Sequence, residues 1–228
     1  MLLGADAMAA LAGASVAVLG LGGVGSWCAE ALARAGIGAL TLIDEDTVGQ
    51  SNINRQLCAL GSTVGRPKAE VMAERARDIA PGAEITPVTA RYEAAARERF
   101  FERRYDYIAD CIDLVSCKVD LICSARERGI PIISALGTGN KADARLLRMA
   151  DLAETESCPL ARVLRRELRR CGVEHTDVVY SPEPPMTPSQ PETPPPGRRS
   201  VPGSLVWVPA SAGLLMAQHI VMRLTEKE

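Results

Sequence analysis

Residues 15–25 read Ser15-Val-Ala-Val-Leu-Gly20-Leu-Gly-Gly-Val-Gly25, and this stretch decides the fold. The apolar, partly β-branched run over 15–19 has the composition of a buried parallel strand. Gly20, Gly22 and Gly25 match G-x-G-x-x-G, with an extra glycine at Gly23. The motif ends that strand and opens a helical stretch at 25–35, the context it needs. Its glycines permit a tight turn and close approach of the backbone to a ligand. The helix start then offers free N–H groups and a positive dipole end to phosphate. Residues 39–43, Ala-Leu-Thr-Leu-Ile, form a second expected strand ending at Asp44, nineteen residues beyond Gly25. A carboxylate there accepts hydrogen bonds from ribose hydroxyls. These features predict an adenine-nucleotide site, and NAD-dependent oxidoreductases are the usual owners of such a fingerprint.

The rest of the chain keeps the alternation. Residues 66–80 read as a helix stopped by Pro81-Gly82. Strands are expected at 84–89 and 105–110, then a helix at 115–128 ending at Gly129, then a fifth strand at Ile130-Pro-Ile-Ile-Ser. Strands alternating with helices predict an α/β, Rossmann-like fold: a mostly parallel sheet flanked by helices. Residues 181–203 hold nine of the fifteen prolines and read as an extended, partly polyproline-II crossover loop. Residues 204–222 are apolar, but Pro209, Ser211, Gly213, Gln218 and His219 break the run well short of the roughly 20 residues a membrane span needs. The expectation is a C-terminal strand–helix element, with the strand at 205–208 and the helix packed on the sheet. Residues 1–228 are expected to make one domain.

Composition agrees. Of 228 residues, 47% are hydrophobic and 24% charged, which excludes wholesale disorder, collagen and coiled coil. Net charge is −2, so any nucleic-acid contact must come from a local basic patch. The seven cysteines include no CxxC pair, which argues against a disulfide framework and a cysteine zinc site. The first residues lack a basic leader region, so a cytoplasmic protein is expected.

The residues after Asp44 separate the nucleotide chemistries. Asp46, the run Ser51-Asn52-Ile53-Asn54-Arg55-Gln56, and Lys68 place polar and cationic groups just past the carboxyl edge of the second strand. A dinucleotide needs few such charges, and Arg55 and Lys68 would have no task in hydride transfer. A triphosphate attacked at its α-phosphate needs a guanidinium, an ammonium and a metal for the charge that builds there. Arg55 and Lys68 suit the first two. Asp113 comes after the fourth strand, where it can face the same crevice and hold magnesium. Singly, Arg55 would read as a surface ion-pair residue and Asp113 as a helix cap; the cluster carries the assignment.

Together, Gly20–Gly25, Asp44, Ser51-Asn-Ile-Asn-Arg55-Gln56 and Val64-Gly-Arg-Pro-Lys68 resemble the ubiquitin-activating-enzyme-like superfamily, whose members adenylate carboxylates. Further segments resemble its tRNA threonylcarbamoyladenosine dehydratase family: Asn54-Arg-Gln-Leu-Cys-Ala-Leu60, Ala135-Leu-Gly-Thr-Gly-Asn-Lys141, Cys158-Pro-Leu-Ala161, Val179-Tyr-Ser-Pro-Glu-Pro-Pro185 and Pro202-Gly-Ser-Leu-Val-Trp-Val-Pro209. The resemblance runs from Leu2 to Leu224. It implies ATP-dependent dehydration of N6-threonylcarbamoyladenosine in tRNA to its cyclic form, with AMP and pyrophosphate released. By motif match, Gly20, Gly22, Gly23, Gly25, Asp44, Asp46, Asn52, Arg55 and Lys68 would bind the nucleotide, and Asp113 the magnesium. Arg55, Lys68 and Asp113 would carry the chemistry.

The resemblance also implies a homodimer, and it admits a potassium or sodium ion and a cysteine desulfurase or other sulfur-trafficking partner. Adenylation of a ubiquitin-like sulfur carrier is the alternative activity, and a nucleotide-binding adaptor without turnover is a third. Relatives that transfer sulfur or ubiquitin-like proteins use a crossover-loop cysteine, and 181–203 contains none. Family members begin with an arginine shortly before a Leu-Leu-Gly-like segment. This sequence opens at Met1-Leu2-Leu3-Gly4, and the expectation is that the true start lies upstream.

A second feature lies at 159–171. Leu160, Val163, Leu164 and Leu168 share one helical face, while Arg162, Arg165, Arg166 and Arg169 line another beside Arg170. Such a stripe is either an RNA-backbone track, extended by Lys141, Arg145, Arg198 and Arg199, or a solvated charged face. Cys158 is expected to be buried or capping rather than reactive. His175 and His219 are expected to pack rather than react, and Cys111, Cys117 and Cys123 to lie under the sheet.

Overall fold

A computed structural model describes residues 2–187, 189 and 203–226. Seven strands form one sheet in the order β3-β2-β1-β4-β5-β7-β6. They are β1 (Ser15–Leu19), β2 (Ala39–Ile43), β3 (Glu84–Val88), β4 (Tyr107–Asp110), β5 (Ile132–Ala135), β6 (Arg148–Asp151) and β7 (Asp177–Tyr180). All neighbours pair in parallel except β6 with β7. The helices are α1 (Gly4–Gly13), α2 (Gly25–Ala35), α3 (Lys68–Ile79), α4 (Val115–Glu127), α5 (Pro159–Arg170) and α6 (Trp207–Thr225).

The central strands are apolar on both faces because helices cover both. Val16, Val18, Leu40 and Leu42 face one core, shared with α2 and α6. Ala17, Leu19, Ile43 and Ile108 face a second, shared with α4. A third cluster holds the α4–α5 contact, with Ile122 against Leu164 and Leu168. The strand order reverses between β1 and β4, where doubly wound sheets open their ligand crevice at the carboxyl edge. The turns after β1 and β4 therefore meet there.

The structure corrects the C-terminal expectation. Residues 205–208 are not a strand; Trp207 already opens α6. Leu-Val-Trp-Val has strand composition, but packing decides its state. Pro209 is tolerated in the first helical turn, where no N–H is required. Gly213 lets α6 cross α2 closely: an added Cβ would lie 2.3 Å from the Val24 carbonyl oxygen. Among the described residues no helix is long and apolar enough to cross a membrane. Of the proline-rich segment, 188 and 190–202 lie outside the described residues, as do Arg198 and Arg199.

Candidate nucleotide site

The glycine turn is closed by its own backbone. Gly20 N–H donates to the Ile43 carbonyl at 2.8 Å, tying β1's end to β2. A Cβ on Gly25 would lie 1.7 Å from the Gly20 oxygen, and one on Gly20, at φ +87°, would lie 2.6 Å from the Cys111 oxygen. These two glycines therefore serve the turn and its contact with the segment after β4. Gly22 and Gly23 differ. An added Cβ at Gly22 meets only Gln56 at 3.7 Å, whereas at Gly23 it presses on the Pro209 ring at 3.1 Å and lies 3.5 Å from Arg55 Cγ.

Asp44 grips the turn. One carboxylate oxygen accepts the Leu21 N–H at 2.5 Å and the other accepts the Asp46 N–H at 2.8 Å. Burial pushes its carboxyl above the ordinary value, against the pull of the Lys68 charge and both N–H donors. Each oxygen retains a lone pair, so a diol can still be bound. Lys68 opens α3 and is 4% exposed. Its ammonium donates to Asp46 Oδ2 at 2.8 Å, and its N–H donates to the Asp46 carbonyl at 2.9 Å. A bridge between Thr47 and Pro67 fixes this approach. Asp44, Asp46 and Lys68 are thus one charged cluster beside the glycine turn.

Arg55 comes from the turn after the short 3₁₀ helix Gln50–Asn52. Its guanidinium donates to the Ser51 carbonyl at 3.0 Å and to Asn54 Oδ1 at 2.8 Å, and burial pulls its pKa below the ordinary value. The indole N–H of Trp27 holds the Arg55 carbonyl at 3.2 Å. Ser26 Oγ accepts the Leu57 N–H, and its hydroxyl donates to the Gly22 carbonyl, so helix α2 carries both the glycine turn and the arginine segment. Asn52 accepts the Gly49 N–H at 2.9 Å, a bond that shapes its own turn. Asp113 is exposed, two residues beyond the carbonyl that abuts Gly20.

One buried ion pair near the site escaped the sequence reading. Asp110 and Lys118 are fully buried, with Lys118 Nζ donating to Asp110 Oδ2 at 2.7 Å. The buried Ser134 hydroxyl donates to the same oxygen, and Ile112 N–H donates to Oδ1 at 3.1 Å. Asp110 ends β4, three residues before Asp113. The available signal was a scarce lysine eight residues after a strand-ending aspartate.

The basic helix is partly absorbed by the fold. Ala161, Leu164 and Leu168 bury its apolar face, and Cys158 is buried at its start. Arg165 departs from the expected stripe: its guanidinium is held by the carbonyls of Leu152 and Thr155 at 3.1 and 2.7 Å. Lys141 also turns inward, 5% exposed, and its ammonium donates to the Glu183 carbonyl. Arg166 and Arg170 pair with Glu167, and Arg145 with Asp143. Arg162 and Arg169 remain exposed without an ion pair among the described residues. His175 pairs with Asp151, and His219 lies between Asp177 and Tyr107. Cys117 is buried and Cys111 and Cys123 are partly buried, whereas Cys171 is exposed.

A mostly parallel sheet with a glycine turn after β1, a carboxylate at the end of β2 and a buried ammonium close by defines a Rossmann-type nucleotide-binding protein. Comparison with known proteins narrows the class. The model of the ThiF family matches residues 1–228, and the chain belongs to that family. It is 38% identical over 231 residues to the tRNA threonylcarbamoyladenosine dehydratase of Bacillus subtilis, covering 97% of this chain and 91% of the relative. It is 45% identical over 168 residues to the Escherichia coli protein of the same name, an alignment spanning 74% of this chain and 63% of the relative. The structure of the E. coli tRNA N6-threonylcarbamoyladenosine dehydratase TcdA in complex with ATP superposes with a TM-score of 0.88 at 38% identity, covering 98% of this chain and 90% of that one.

Proposed function

We propose that this protein is a single-domain, ATP-dependent tRNA threonylcarbamoyladenosine dehydratase. The observation that carries the reading is the buried Lys68 ammonium, held by Asp46 beside the glycine turn and Asp44. An oxidoreductase has no task for that charge, whereas an enzyme that displaces pyrophosphate needs it where phosphate charge develops. Relatives named for this activity, one solved with ATP bound, support the substrate assignment.

In this reading Asp44 binds the ribose hydroxyls, while Gly22, Gly23 and the start of α2 receive the phosphates. Asp46 orients Lys68, and Asn52 shapes the turn that presents Arg55. The guanidinium of Arg55 exchanges its bonds to Ser51 and Asn54 for phosphate oxygens. Asp113, a single carboxylate beside the turn, suits magnesium, which is held by one or two carboxylates together with phosphate oxygens. When bound there, magnesium supplies charge stabilisation at the phosphates. No residue is assigned to potassium or sodium. The substrate carboxylate attacks the α-phosphorus and displaces pyrophosphate; an atom of the same modified nucleoside then closes the ring and releases AMP. The protein supplies no nucleophile, so catalysis is positioning and electrostatics.

Exposed Leu205, Val206, Trp207, Leu214 and Met222 on and before α6 form an apolar face suited to a homodimer. The decisive experiment is mass spectrometry of nucleosides from tRNA carrying threonylcarbamoyladenosine, incubated with protein, ATP and magnesium. ATP-dependent loss of one water, abolished in Lys68→Ala, is expected. Pyrophosphate exchange only with a carrier protein ending in Gly-Gly would assign the site to sulfur-carrier activation instead.

A further inference from the structure

Asn140 is one of two non-glycine residues at positive φ among those described, with φ 60°. It occupies the turn after β5 and bonds to both ends of the connection that leaves β7 and returns at α6. Its carbonyl accepts the Met186 N–H at 2.8 Å, its N–H donates to the Gly203 carbonyl at 2.7 Å, and its Oδ1 accepts the Gly203 N–H at 2.7 Å. The residues beside it repeat the pattern. Glu183 accepts the N–H groups of Ala142 and Asp143 at 2.9 and 3.1 Å, and the Trp207 indole donates to the Ala142 carbonyl at 2.7 Å.

The far side of this clamp is the nucleotide site. Asn54, next to Arg55, donates to the Ser204 carbonyl at 3.1 Å, immediately after Gly203. Pro209, in the first turn of α6, packs over Gly23. Asparagine combines two properties the position needs. It tolerates the left-handed conformation, and its side chain accepts a hydrogen bond locally.

We infer that Asn140 is a positioning residue: by fastening Gly203 it holds the start of α6 against Gly23 and Asn54, and so completes the wall of the nucleotide pocket. The inference rests on the proposed reading that Gly20–Gly25 receives ATP. It acts through Gly203, Ser204 and Pro209 rather than by touching the nucleotide.

The test separates conformation from clamp. Asn140→Gly keeps the left-handed backbone and deletes only the acceptor; Asn140→Asp keeps an acceptor at the same place. ATP affinity is measured by calorimetry, and the seating of α6 by tryptophan emission, with Trp207→Phe assigning the signal. One neutral hydrogen bond corresponds to about three- to tenfold in affinity. Asn140→Gly is expected to bind ATP weaker by that factor, with a red-shifted Trp207 emission, while Asn140→Asp stays within about twofold of the parent by the same scale. Wild-type affinity and unshifted emission in Asn140→Gly would overturn the inference, as would equal losses in both variants. If the parent protein binds no ATP, the proposed function fails, and the Trp207 emission alone then decides the clamp.

Discussion

Lys118 Nζ lies 2.7 Å from Asp110 Oδ2, with both side chains fully buried beneath the nucleotide crevice. Taking two charges from water is costly, and the pair persists because Ser134 and the Ile112 N–H complete the carboxylate's bonding. Removing one partner leaves an uncompensated buried charge. Lys118→Met is therefore expected to lose about 3–5 kcal/mol of stability, read in urea unfolding. The double variant Asp110→Leu/Lys118→Met should recover much of that loss. A Lys118→Met protein as stable as the parent would show that the pair is not held as described.

The two kinds of glycine in the turn give a second prediction. Gly25→Ala forces a Cβ to 1.7 Å from the Gly20 oxygen, so the turn must open and both folding and ATP binding should suffer. Gly22→Ala meets only the flexible end of Gln56 at 3.7 Å and should fold normally. If phosphate approaches that backbone, ATP binding should still weaken about tenfold, the scale of one lost hydrogen bond to a charged group. Unchanged affinity in a folded Gly22→Ala would move the phosphates elsewhere.

The same glycines explain what was legible in sequence. The turn, Asp44 and the parallel core obey local rules: a β-branched run, a glycine spacing and an acid at the next strand's end. Helices α2, α3, α4 and α5 fall close to their expected bounds for the same reason. Helix α1 and strand β7 carried no expectation, and the other misses depend on the tertiary surroundings. β6 (Arg-Met-Ala-Asp) has no alternation to mark it and becomes a strand only by pairing with β7. Helix α6 starts within a strand-like run because α2 and Gly213 accept it there. Lys141 turns inward to a partner 42 residues away, whereas Asp110–Lys118 and Arg165 find partners within 8 to 13 residues, where only the burial given by the fold picks out the pairing.

Acid sensitivity should be traceable to Asp177. The hydrogen bond from His219, aided by the charges of His219 and Arg223, holds its carboxyl below the ordinary value of 3.8, against the effect of burial. A depressed folded pKa contributes stability above the unfolded value, and that stability is lost as pH falls through the folded value. Asp177→Asn should therefore be less stable than the parent at pH 6, with the gap closing as pH falls below the ordinary carboxyl value of 3.8 and through the lower folded value. Thermal melts of both proteins across this range provide the check; a gap independent of pH would assign the difference to packing instead.

The arginines of α5 should divide into two groups. Arg165 is bound to the Leu152 and Thr155 carbonyls and belongs to the fold. Arg162 and Arg169 are exposed on the same helix without an ion pair among the described residues, which leaves their charge available to a phosphate backbone. Arg165→Ala is expected to lower the melting temperature. Arg162→Ala and Arg169→Ala should leave it unchanged but weaken tRNA binding, each reducing the slope of log affinity against log salt by about one. The slope is the discriminating quantity, because a contact that releases counterions changes it and a general loss of folded protein does not. Parent-like slopes in both variants would return this helix to a solvated charged face and place the tRNA on another surface.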